Sequence, residues 1–387
     1  MLPSIPKLLC VVGARPNFVK IAPLLNLLKL SHPPVNVILV HTGQHFDYTL
    51  NQQLFSSLGI SAPKHQLKLD YHSEVSQFSD IMIKFESVIN EEKPNAILVV
   101  GDVNSTLSCA LTASKKNIPL IHIESGLRSF DKNMPEEINR ILTDQLSDLL
   151  FTTELSANIN LQNEGIESNK VHFVGNIMID SLLQNLDKSI HYTQTLSKYS
   201  VNKSNIKYIL VTLHRKELLN NDIKIKQIIL ELKKISEDFE IIIPLHPRTH
   251  EKLKKLDLYN ELNDFAIILP PVDYLEMLGL IKDSTIILTD SGGLQEEATI
   301  LKKPCITLRD NTERPVTVSE GTNRVLGNNI KLLPALIKTA LSSDMPKKIP
   351  TYWDGHTAAR IMSILVPWLY EIYNIAERKY DKECIKY

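Results

Sequence analysis

The chain has 387 residues, a length at which two domains with separate hydrophobic cores are expected. Lysine and arginine total 43 and aspartate and glutamate 44, so the formal charge is -1 and no global field favours binding to nucleic acid or to an acidic membrane. The four scattered cysteines show no CxxC spacing, no apolar stretch reaches the roughly 18 residues of a spanning helix, and the N-terminus lacks a secretory pattern, so we expect a soluble cytoplasmic protein without disulfides or structural zinc.

The first half alternates short apolar runs with longer segments of helical period. Strands that are apolar throughout, separated by single helices, predict a parallel sheet covered on both faces. We therefore expect a Rossmann-like N-terminal domain over residues 1–175. The predicted strands are 8–12, 35–41, 96–100, 120–123 and 149–152, and the predicted helices are 16–30, 46–58, 73–90, 105–115 and 135–146.

A polar segment separates the two halves. Residues 184–205 are rich in Ser, Lys and Asn and lack strong periodicity, which predicts an exposed helix or loop after a domain junction. The alternation then restarts and predicts a second Rossmann-like domain over residues 176–360. Residues 361–387 are expected to form a helix that packs back on the N-terminal domain. The strands predicted in the second domain are 208–213, 240–245, 266–269, 285–289 and 305–308.

Two doubly wound domains of this kind are expected to hold their ligand in an interdomain cleft lined by the carboxyl ends of the strands. Arg15 and Lys20 begin the helix after the first strand, where they either form an anion site or lie as surface charges. Asp102 follows a strand and either binds a ligand or caps the next helix. Glu124 is harder to explain as a cap, because no helix begins directly after it.

A second group of charges follows at the start of a predicted helix. Glu136 and Glu137 lie in its first turn, where the helix dipole alone favours acids, and Arg140 is placed to pair with Glu136 four residues earlier. Two clusters of carboxylate and guanidinium groups about a dozen residues apart favour acid/base chemistry on a bound anion.

Two histidines and a glycine pair mark the second half. His214 and His246 each follow a strand, where they either transfer protons or pack. Ser291, Gly292 and Gly293 precede a helix and leave backbone N–H groups open to a diphosphate, and Glu297 in the same helix is placed to accept from ribose hydroxyls. No metal-ligand spacing is present, so we expect a metal-free site.

With these motifs in view, the chain resembles the UDP-N-acetylglucosamine 2-epimerase family, whose members have the GT-B fold. The resemblance extends over nearly the whole length. It is carried by the ordered motifs GARPNFVKIAPL, HTGQHFDYTL, GDVNSTL, HIESGLRSFDKNMPEEINR, VGNIMIDSL, VTLHRKE, PLHPRT, TDSGGLQEE and LRDNTERPVTVSEGTN.

The resemblance implies an isomerase of polysaccharide biosynthesis that inverts C2 of UDP-GlcNAc through elimination of UDP, a 2-acetamidoglucal intermediate and re-addition of UDP to give UDP-ManNAc. It implies no nicotinamide or other cofactor, and it implies a homodimer formed through helices of the N-terminal domain. By family position the catalytic residues are Asp102, Glu124, Glu136 and His214. The substrate-binding residues are Arg15, Lys20, Arg140, Tyr274, Ser291, Gly292, Gly293, Glu297 and Arg314, with the uracil near 269–274.

The sequence departs from the family pattern in two places. Leu218 stands where an asparagine usually follows the HRxE motif. Gln44, Arg215 and His246 match positions at which a second UDP-GlcNAc activates many bacterial members, whereas Asp47 replaces a second glutamine.

Three alternatives remain at this point. A hydrolysing epimerase would release ManNAc and UDP because water completes the reaction, and it would share the same carboxylates. A GT-B glycosyltransferase would need an acceptor, and the linked carboxylates match the epimerases better. A catalytically silent sugar-nucleotide sensor is disfavoured by the intact Asp102, Glu124, Glu136 and His214.

Overall fold

The structure is a computed structural model that describes residues 5–43, 55–342 and 348–384, with side chains described up to residue 374. The described chain divides into two compact units. The first runs up to Ser181 and resumes at Thr351, and the second is Leu182–Pro350.

The first unit thus extends past the predicted boundary at 175, and the chain returns to it before residue 361. Buried contacts explain both shifts. The carboxylate of Asp180 accepts from the backbone N–H groups of Thr357 (3.1 Å) and Ala358 (2.7 Å), where the last helix begins. The indole of Trp353 donates to the carbonyl of Thr153 over 3.0 Å. The last helix, Thr357–Cys384, packs against the helix Arg15–Leu28.

The first unit contains a seven-stranded parallel sheet in the order β3-β2-β1-β4-β5-β6-β7. Successive side chains of a strand point to opposite faces, and the consecutive residues Leu8, Leu9 and Cys10 are all fully buried, so both faces of the sheet are covered. The strands are β1 (Lys7–Val12), β2 (Asn36–His41), β3 (His65–Gln66), β4 (Ala96–Val100), β5 (Leu120–Ser125), β6 (Leu149–Thr152) and β7 (Val171–Phe173). The helices are Arg15–Leu28, Glu74–Glu92, Asn104–Lys115, Pro135–Leu146, Leu155–Asn163, Ile177–Asn185 (which continues into the second unit) and Thr357–Cys384.

The second unit contains a six-stranded parallel sheet in the order β10-β9-β8-β11-β12-β13. Tyr208, Ile209 and Leu210 are fully buried in succession, so this sheet is also covered on both faces. Its strands are β8 (Tyr208–Thr212), β9 (Glu240–Pro244), β10 (Ala266–Leu269), β11 (Ile286–Thr289), β12 (Cys305–Thr307) and β13 (Asn323–Val325). The helices are Tyr192–Lys198, Lys216–Leu219, Asp222–Ile235, Pro247–Lys255, Tyr259–Asn263, Tyr274–Asp283, Gly292–Ile300, Pro315–Ser319 and Leu333–Ser342.

Both sheets confirm the predicted α/β class with two Rossmann-like, doubly wound parallel sheets. In each sheet the strand order reverses beside a central strand, at β1 and β4 in the first unit and at β8 and β11 in the second. Ligands of open α/β sheets bind outside the carboxyl ends of the strands at such a switch point. The residues that follow β1, β4, β8 and β11 are therefore candidates for ligand contacts, as are those that follow β5, the neighbour of β4.

Two features differ from the sequence prediction. The edge strands β3, β7 and β13 are two or three residues long, too short to leave a periodic pattern. Within the polar segment, Tyr192 and Leu196 of the helix Tyr192–Lys198 are buried. The predicted helix 46–58 lies mostly outside the described residues. Its described part, residues 55–58, is helical. Among the helices that the structure describes, none combines the length and apolarity needed to cross a bilayer.

Candidate active-site residues in the two units

Lys20 and Glu124 form a buried ion pair at the switch point of the first sheet. Lys20 lies in the helix after β1, Glu124 lies near the end of β5, and the ammonium of Lys20 donates to Oε2 of Glu124. Both residues are less than a tenth exposed. A Cβ on Gly101, directly after β4, would lie 3.3 Å from Oε2 of Glu124 and 3.5 Å from Nζ of Lys20. Glycine at this position lets the pair approach the backbone.

The backbone of Glu124 is strained. Its φ is +74°, a left-handed conformation that costs an ordinary residue about 1 kcal/mol or more, and the register of β5 against β6 shifts between Ile123 and Ser125. A bulge of this kind redirects a side chain at the end of a strand. The strain is consistent with a functional position, because such conformations persist where the surrounding structure enforces them.

Arg140 links Asp102 to the helix Pro135–Leu146. Its Nη1 is 2.5 Å from Oδ2 of Asp102, and its Nη2 is 2.5 Å from Oε2 of Glu137. The Arg140 side chain is buried, whereas that of Asp102 is about a quarter exposed. The next helix begins at Asn104 and has Val103, not Asp102, as its N-cap. The ligand role of Asp102 stays a prediction.

Glu137 has a structural task of its own. Its carboxylate accepts from the N–H groups of Ser129 (2.9 Å) and Phe130 (2.8 Å) and so holds the loop before the helix. Burial would raise the pKa of Glu137, but the hydrogen bond from Ser129 and the charge of Arg140 lower it below its usual value.

Glu136 and Arg15 lie at helix starts in the same unit. Glu136 is half-buried and is the second residue of its helix, one turn before Arg140, so the two side chains share a face. Arg15 is half-buried and is the first residue of the helix that carries Lys20. Among the predicted site residues of this unit, Lys20 thus pairs with Glu124 and Asp102 with Arg140.

In the second unit, His214 is held by a buried aspartate. Nδ1 of His214 lies 2.8 Å from Oδ1 of Asp290, and Oδ2 of Asp290 accepts from the N–H groups of His214 and Arg215, each over 2.8 Å. Burial would raise the pKa of Asp290, but the charge of His214 and these hydrogen bonds lower it. Because Nδ1 faces the carboxylate, Nε2 is the ring nitrogen available to a ligand.

His246 lies close to His214, with a distance of 6.1 Å between the ring centroids. It is exposed, and its Nδ1 accepts from the N–H of Arg248 at the start of the helix Pro247–Lys255. The two histidines that follow separate strands in the sequence therefore meet at one sheet end. Gln44 and Asp47 lie outside the described residues.

Cations surround the start of the helix Gly292–Ile300. A Cβ on Gly292 would lie 2.7 Å from Oε1 of Glu313, so a side chain here would disturb the ion pairs around it. Arg215 lies 3.4 Å from Glu313, and Nε of Arg314 lies 2.5 Å from Oε1 of Glu296. Ser291 is the N-cap of this helix and Gly293 is its second residue. Open N–H groups beside guanidinium groups are suited to a diphosphate.

The Glu297 carboxyl and the Tyr274 hydroxyl are both buried in the second unit, within electrostatic range of each other. Burial and then the charge of Glu296 raise the pKa of Glu297 to about 8. The Tyr274 hydroxyl is buried and has no hydrogen-bond partner among the described residues, and burial and Glu297 raise its pKa. Two groups that hold protons near neutral pH therefore lie within electrostatic range of each other.

Sequence reasoning missed the side chains that hold the candidate residues in place. In the sequence, Asp290 stands out only as part of the TDSGGLQEE motif, and Glu137 only as an acid in the first turn of a predicted helix. The position of Asp290 directly after β11, next in the sheet to β8 and His214, is the signal that connects them.

The chain matches the family model described as UDP-N-acetylglucosamine 2-epimerase over residues 29–366. It is 41% identical to the UDP-N-acetylglucosamine 2-epimerase of Methanocaldococcus jannaschii, covering 93% of this chain and 98% of the relative. It is also 39% identical to the UDP-2,3-diacetamido-2,3-dideoxy-D-glucuronate 2-epimerase of Pseudomonas aeruginosa, covering 93% and 99%.

Solved structures agree with these sequence matches. The crystal structure of the M. jannaschii UDP-GlcNAc 2-epimerase in complex with UDP-GlcNAc and UDP superposes with a TM-score of 0.86 at 40% identity, covering 93% of this chain and 99% of that one. A co-structure of S. aureus MnaA with UDP gives a TM-score of 0.84 at 31% identity, covering 95% and 97%. The predicted GT-B fold class is thereby confirmed.

Proposed function

Since the chain belongs to the UDP-N-acetylglucosamine 2-epimerase family, we propose that it is an isomerase that interconverts UDP-GlcNAc and UDP-ManNAc. The observation that carries the proposal is the pair of carboxylates at the switch point of the first sheet, Glu124 held by Lys20 and Asp102 held by Arg140. Epimerisation needs a base and an acid that act on the same carbon, and fixed carboxylates supply both.

The proposed reaction begins with removal of the proton from C2 of the sugar by one carboxylate. The C–H electron pair forms the C1–C2 double bond while the bond from C1 to the diphosphate oxygen breaks, which gives 2-acetamidoglucal and UDP. UDP then adds back to C1, and a proton is delivered to the opposite face of C2. Asp102, Glu124 and Glu136 are proposed as the acid/base carboxylates. The cations beside Asp102 and Glu124 hold those two carboxylates in place between turnovers.

The second unit is proposed to bind UDP. The N–H groups of Gly292 and Gly293 and the Arg314 guanidinium would stabilise the departing diphosphate, with Nε2 of His214 donating to it. The N–H of Ser291 donates to Oγ1 of Thr289 over 2.9 Å, so Ser291 would contribute through its side chain. Glu297 would accept from the ribose hydroxyls and Tyr274 would lie by the uracil. Arg15, Lys20 and Arg140 would contact the sugar or diphosphate from the first unit.

A proton-exchange experiment tests the proposal. The protein is incubated with UDP-GlcNAc in deuterated water and followed by proton NMR. We expect deuterium at C2 and UDP-ManNAc in the product pool. Free ManNAc would support the hydrolysing reaction instead, and absence of exchange would overturn both. Because one relative is named for a 2,3-diacetamido uronate, that UDP-sugar is run in parallel, and faster turnover of it would reassign the substrate.

Single substitutions assign the carboxylates. Asp102→Asn and Glu124→Gln should each abolish C2 exchange while UDP binding, measured by calorimetry, remains. Glu167→Gln, an exposed carboxylate outside the site, is the matched control and should exchange like the wild type. Full activity in the Asp102→Asn Glu124→Gln double variant would refute the assignment.

Activation by a second substrate molecule is proposed to involve Arg215 and His246, together with Gln44. Arg215 and His246 both lie next to His214 in chain or space, so a ligand there would reach the candidate diphosphate site. A lag or sigmoid rate curve in UDP-GlcNAc, and a requirement for UDP-GlcNAc in the reverse reaction, support the proposal. A hyperbolic curve without that requirement refutes it.

We also propose a cytoplasmic homodimer formed by helices of the first unit. Ile83 of the helix Glu74–Glu92, and Ile138 and Leu142 of the helix Pro135–Leu146, are large apolar residues with 66%, 46% and 43% of their surface exposed. Light scattering after gel filtration should give twice the chain mass of 43.9 kDa, and Ile83→Glu should reduce it.

A further inference from the structure

We propose that His122 is a positioning residue that, together with Asp144, fixes the turn carrying Asp102 relative to the turn carrying Glu124. The inference rests on the proposed function, because the two turns matter only if their carboxylates act on one substrate. None of the sequence motifs assigned a role to His122 or Asp144, and neither side chain reaches solvent.

The imidazole of His122 joins the helix Pro135–Leu146 to the turn after β4. His122 lies on β5, two residues before Glu124, and its Nδ1 is 2.6 Å from Oδ1 of Asp144. Its Nε2 is 2.9 Å from the carbonyl oxygen of Gly101, the residue between β4 and Asp102. Each ring nitrogen thus has one oxygen partner, and both partners are fixed by the fold.

Asp144 holds the other side of the same turn. Its Oδ2 accepts from the N–H of Gly126 over 3.0 Å and lies 2.7 Å from Nη2 of Arg128. Burial would raise the pKa of Asp144, but the charges of His122 and Arg128 lower it, so the carboxylate is ionised. One side chain thus binds the residue two before Glu124 and the residue two after it.

Arg128 extends this cluster to a second carboxylate. It donates to both carboxylate oxygens of Glu164, over 2.8 Å from Nε and 2.6 Å from Nη2. A buried network is stabilising when every member is paired and costly when one is removed. The network is therefore suited to enforcing one geometry, including the unfavourable φ of Glu124.

Gly101 makes the link to the reacting groups. The His122 ring fixes the Gly101 carbonyl, and a Cβ on the same residue would lie 3.3 Å from Oε2 of Glu124 and 3.5 Å from Nζ of Lys20. Asp102 is the next residue. A change in the His122 contacts would therefore shift Asp102 and Glu124 relative to each other, and a displacement of about 1 Å can cost on the order of a hundredfold in rate.

The test compares His122→Gln and Asp144→Asn with the wild type in the C2 exchange assay. Glutamine keeps a polar group but cannot place two nitrogens on opposite sides as the imidazole ring does. We expect kcat to fall by about ten- to a hundredfold while KM for UDP-GlcNAc changes by less than about threefold, because the clamp acts on geometry rather than on substrate contacts. Asp180→Asn is the control, since Asp180 is equally buried and also accepts two N–H groups but holds the last helix; folded Asp180→Asn should keep the wild-type kcat.

A second measurement does not depend on variants that fold. With histidine labelled by nitrogen-15, the ring of His122 in the wild type should be rigid, with its ring N–H protected from solvent exchange by the contacts to Asp144 and Gly101. A mobile or unprotected His122 ring, or a wild-type kcat in His122→Gln, would overturn the inference. Absence of deuterium exchange at C2 of UDP-GlcNAc with the wild type would instead overturn the proposed function.

Discussion

Nη1 of Arg140 lies 2.5 Å from Oδ2 of Asp102, which joins the helix Pro135–Leu146 to the turn after β4. The same guanidinium holds Glu137, whose carboxylate in turn fixes the loop at Ser129 and Phe130. A single buried cation therefore positions a proposed catalytic carboxylate and a loop of the candidate site.

We expect Arg140→Met to destabilise the protein and to abolish C2 exchange. It leaves the buried carboxylate of Glu137 without its cation, which typically costs about 3–5 kcal/mol. Arg140→Lys should also lower activity, because a single ammonium cannot serve two carboxylates as a guanidinium does. Urea unfolding and the exchange assay measure both effects. Lys116→Met removes a cation from the exposed pair with Glu86 and should cost at most about 1 kcal/mol; an equal cost for both would contradict the argument.

Gly101→Ala should reduce activity more than its strain alone explains. Gly101 has φ +72°, and its new Cβ would press on Asn17 at 3.1 Å as well as on the Lys20 and Glu124 pair. Gly165→Ala is a matched control, because φ is +81° there and no atom lies within 4 Å of the new Cβ. Both variants should lose about 1–2 kcal/mol from the left-handed backbone. Only Gly101→Ala should also lower kcat, and equal rates in the two would argue against close packing at the pair.

Asp290→Asn should lower kcat by about a hundredfold or more. Asparagine has one acceptor oxygen where aspartate has two, so its NH2 group would face either Nδ1 of His214 or the backbone N–H groups of His214 and Arg215, and the contact on that side would be lost. Asp283→Asn is the control, because Asp283 also accepts a backbone N–H, from Tyr192, and lies 3.6 Å from a histidine, His191, away from the candidate site. Steady-state kinetics with matched folding controls would decide; unchanged kcat in Asp290→Asn would remove His214 from the proposed mechanism.

Glu297→Gln should make the protein more resistant to alkaline pH. The pKa of Glu297 is raised to about 8, so between the ordinary value of 4.5 and about 8 the unfolded chain releases a proton that the folded protein keeps. Stability from this group is therefore lost as pH rises through that window. Relative to Glu297→Gln, the wild type should lose more than about 1.4 kcal/mol between about pH 5 and pH 8, the free energy of one pKa unit. Parallel pH curves for the two proteins would show that Glu297 ionises normally.

The sequence predicted the parts of the fold that local patterns encode. Central strands such as β4 and β6 and the helix Pro135–Leu146 match their predicted bounds, because continuous burial and helical period leave clear signals. The edge strand β13 carries no such signal. The contact between His214 and Asp290 depends on β8 and β11 being neighbours, and sheet order is a property of the folded topology rather than of either segment.

The charge at Glu124 was predicted, whereas its backbone was not. Gly126 predicts a turn after the strand, and it does have a positive φ. Glu124 has one too, and this follows only from the register shift of β5 against β6. Likewise, His122 reads in the sequence as one more residue of an apolar strand, and its partner Asp144 lies a helix away.

The conformation of Glu124 has a consequence for directed evolution of this protein. Glycine would occupy φ +74° without strain, and an apolar residue at Lys20 would remove the need for a buried partner. A library selected only for heat resistance should therefore enrich Lys20→Met with Glu124→Gly, and those clones should be inactive. Selection for turnover would retain Glu124, whereas selection for thermal tolerance would replace it.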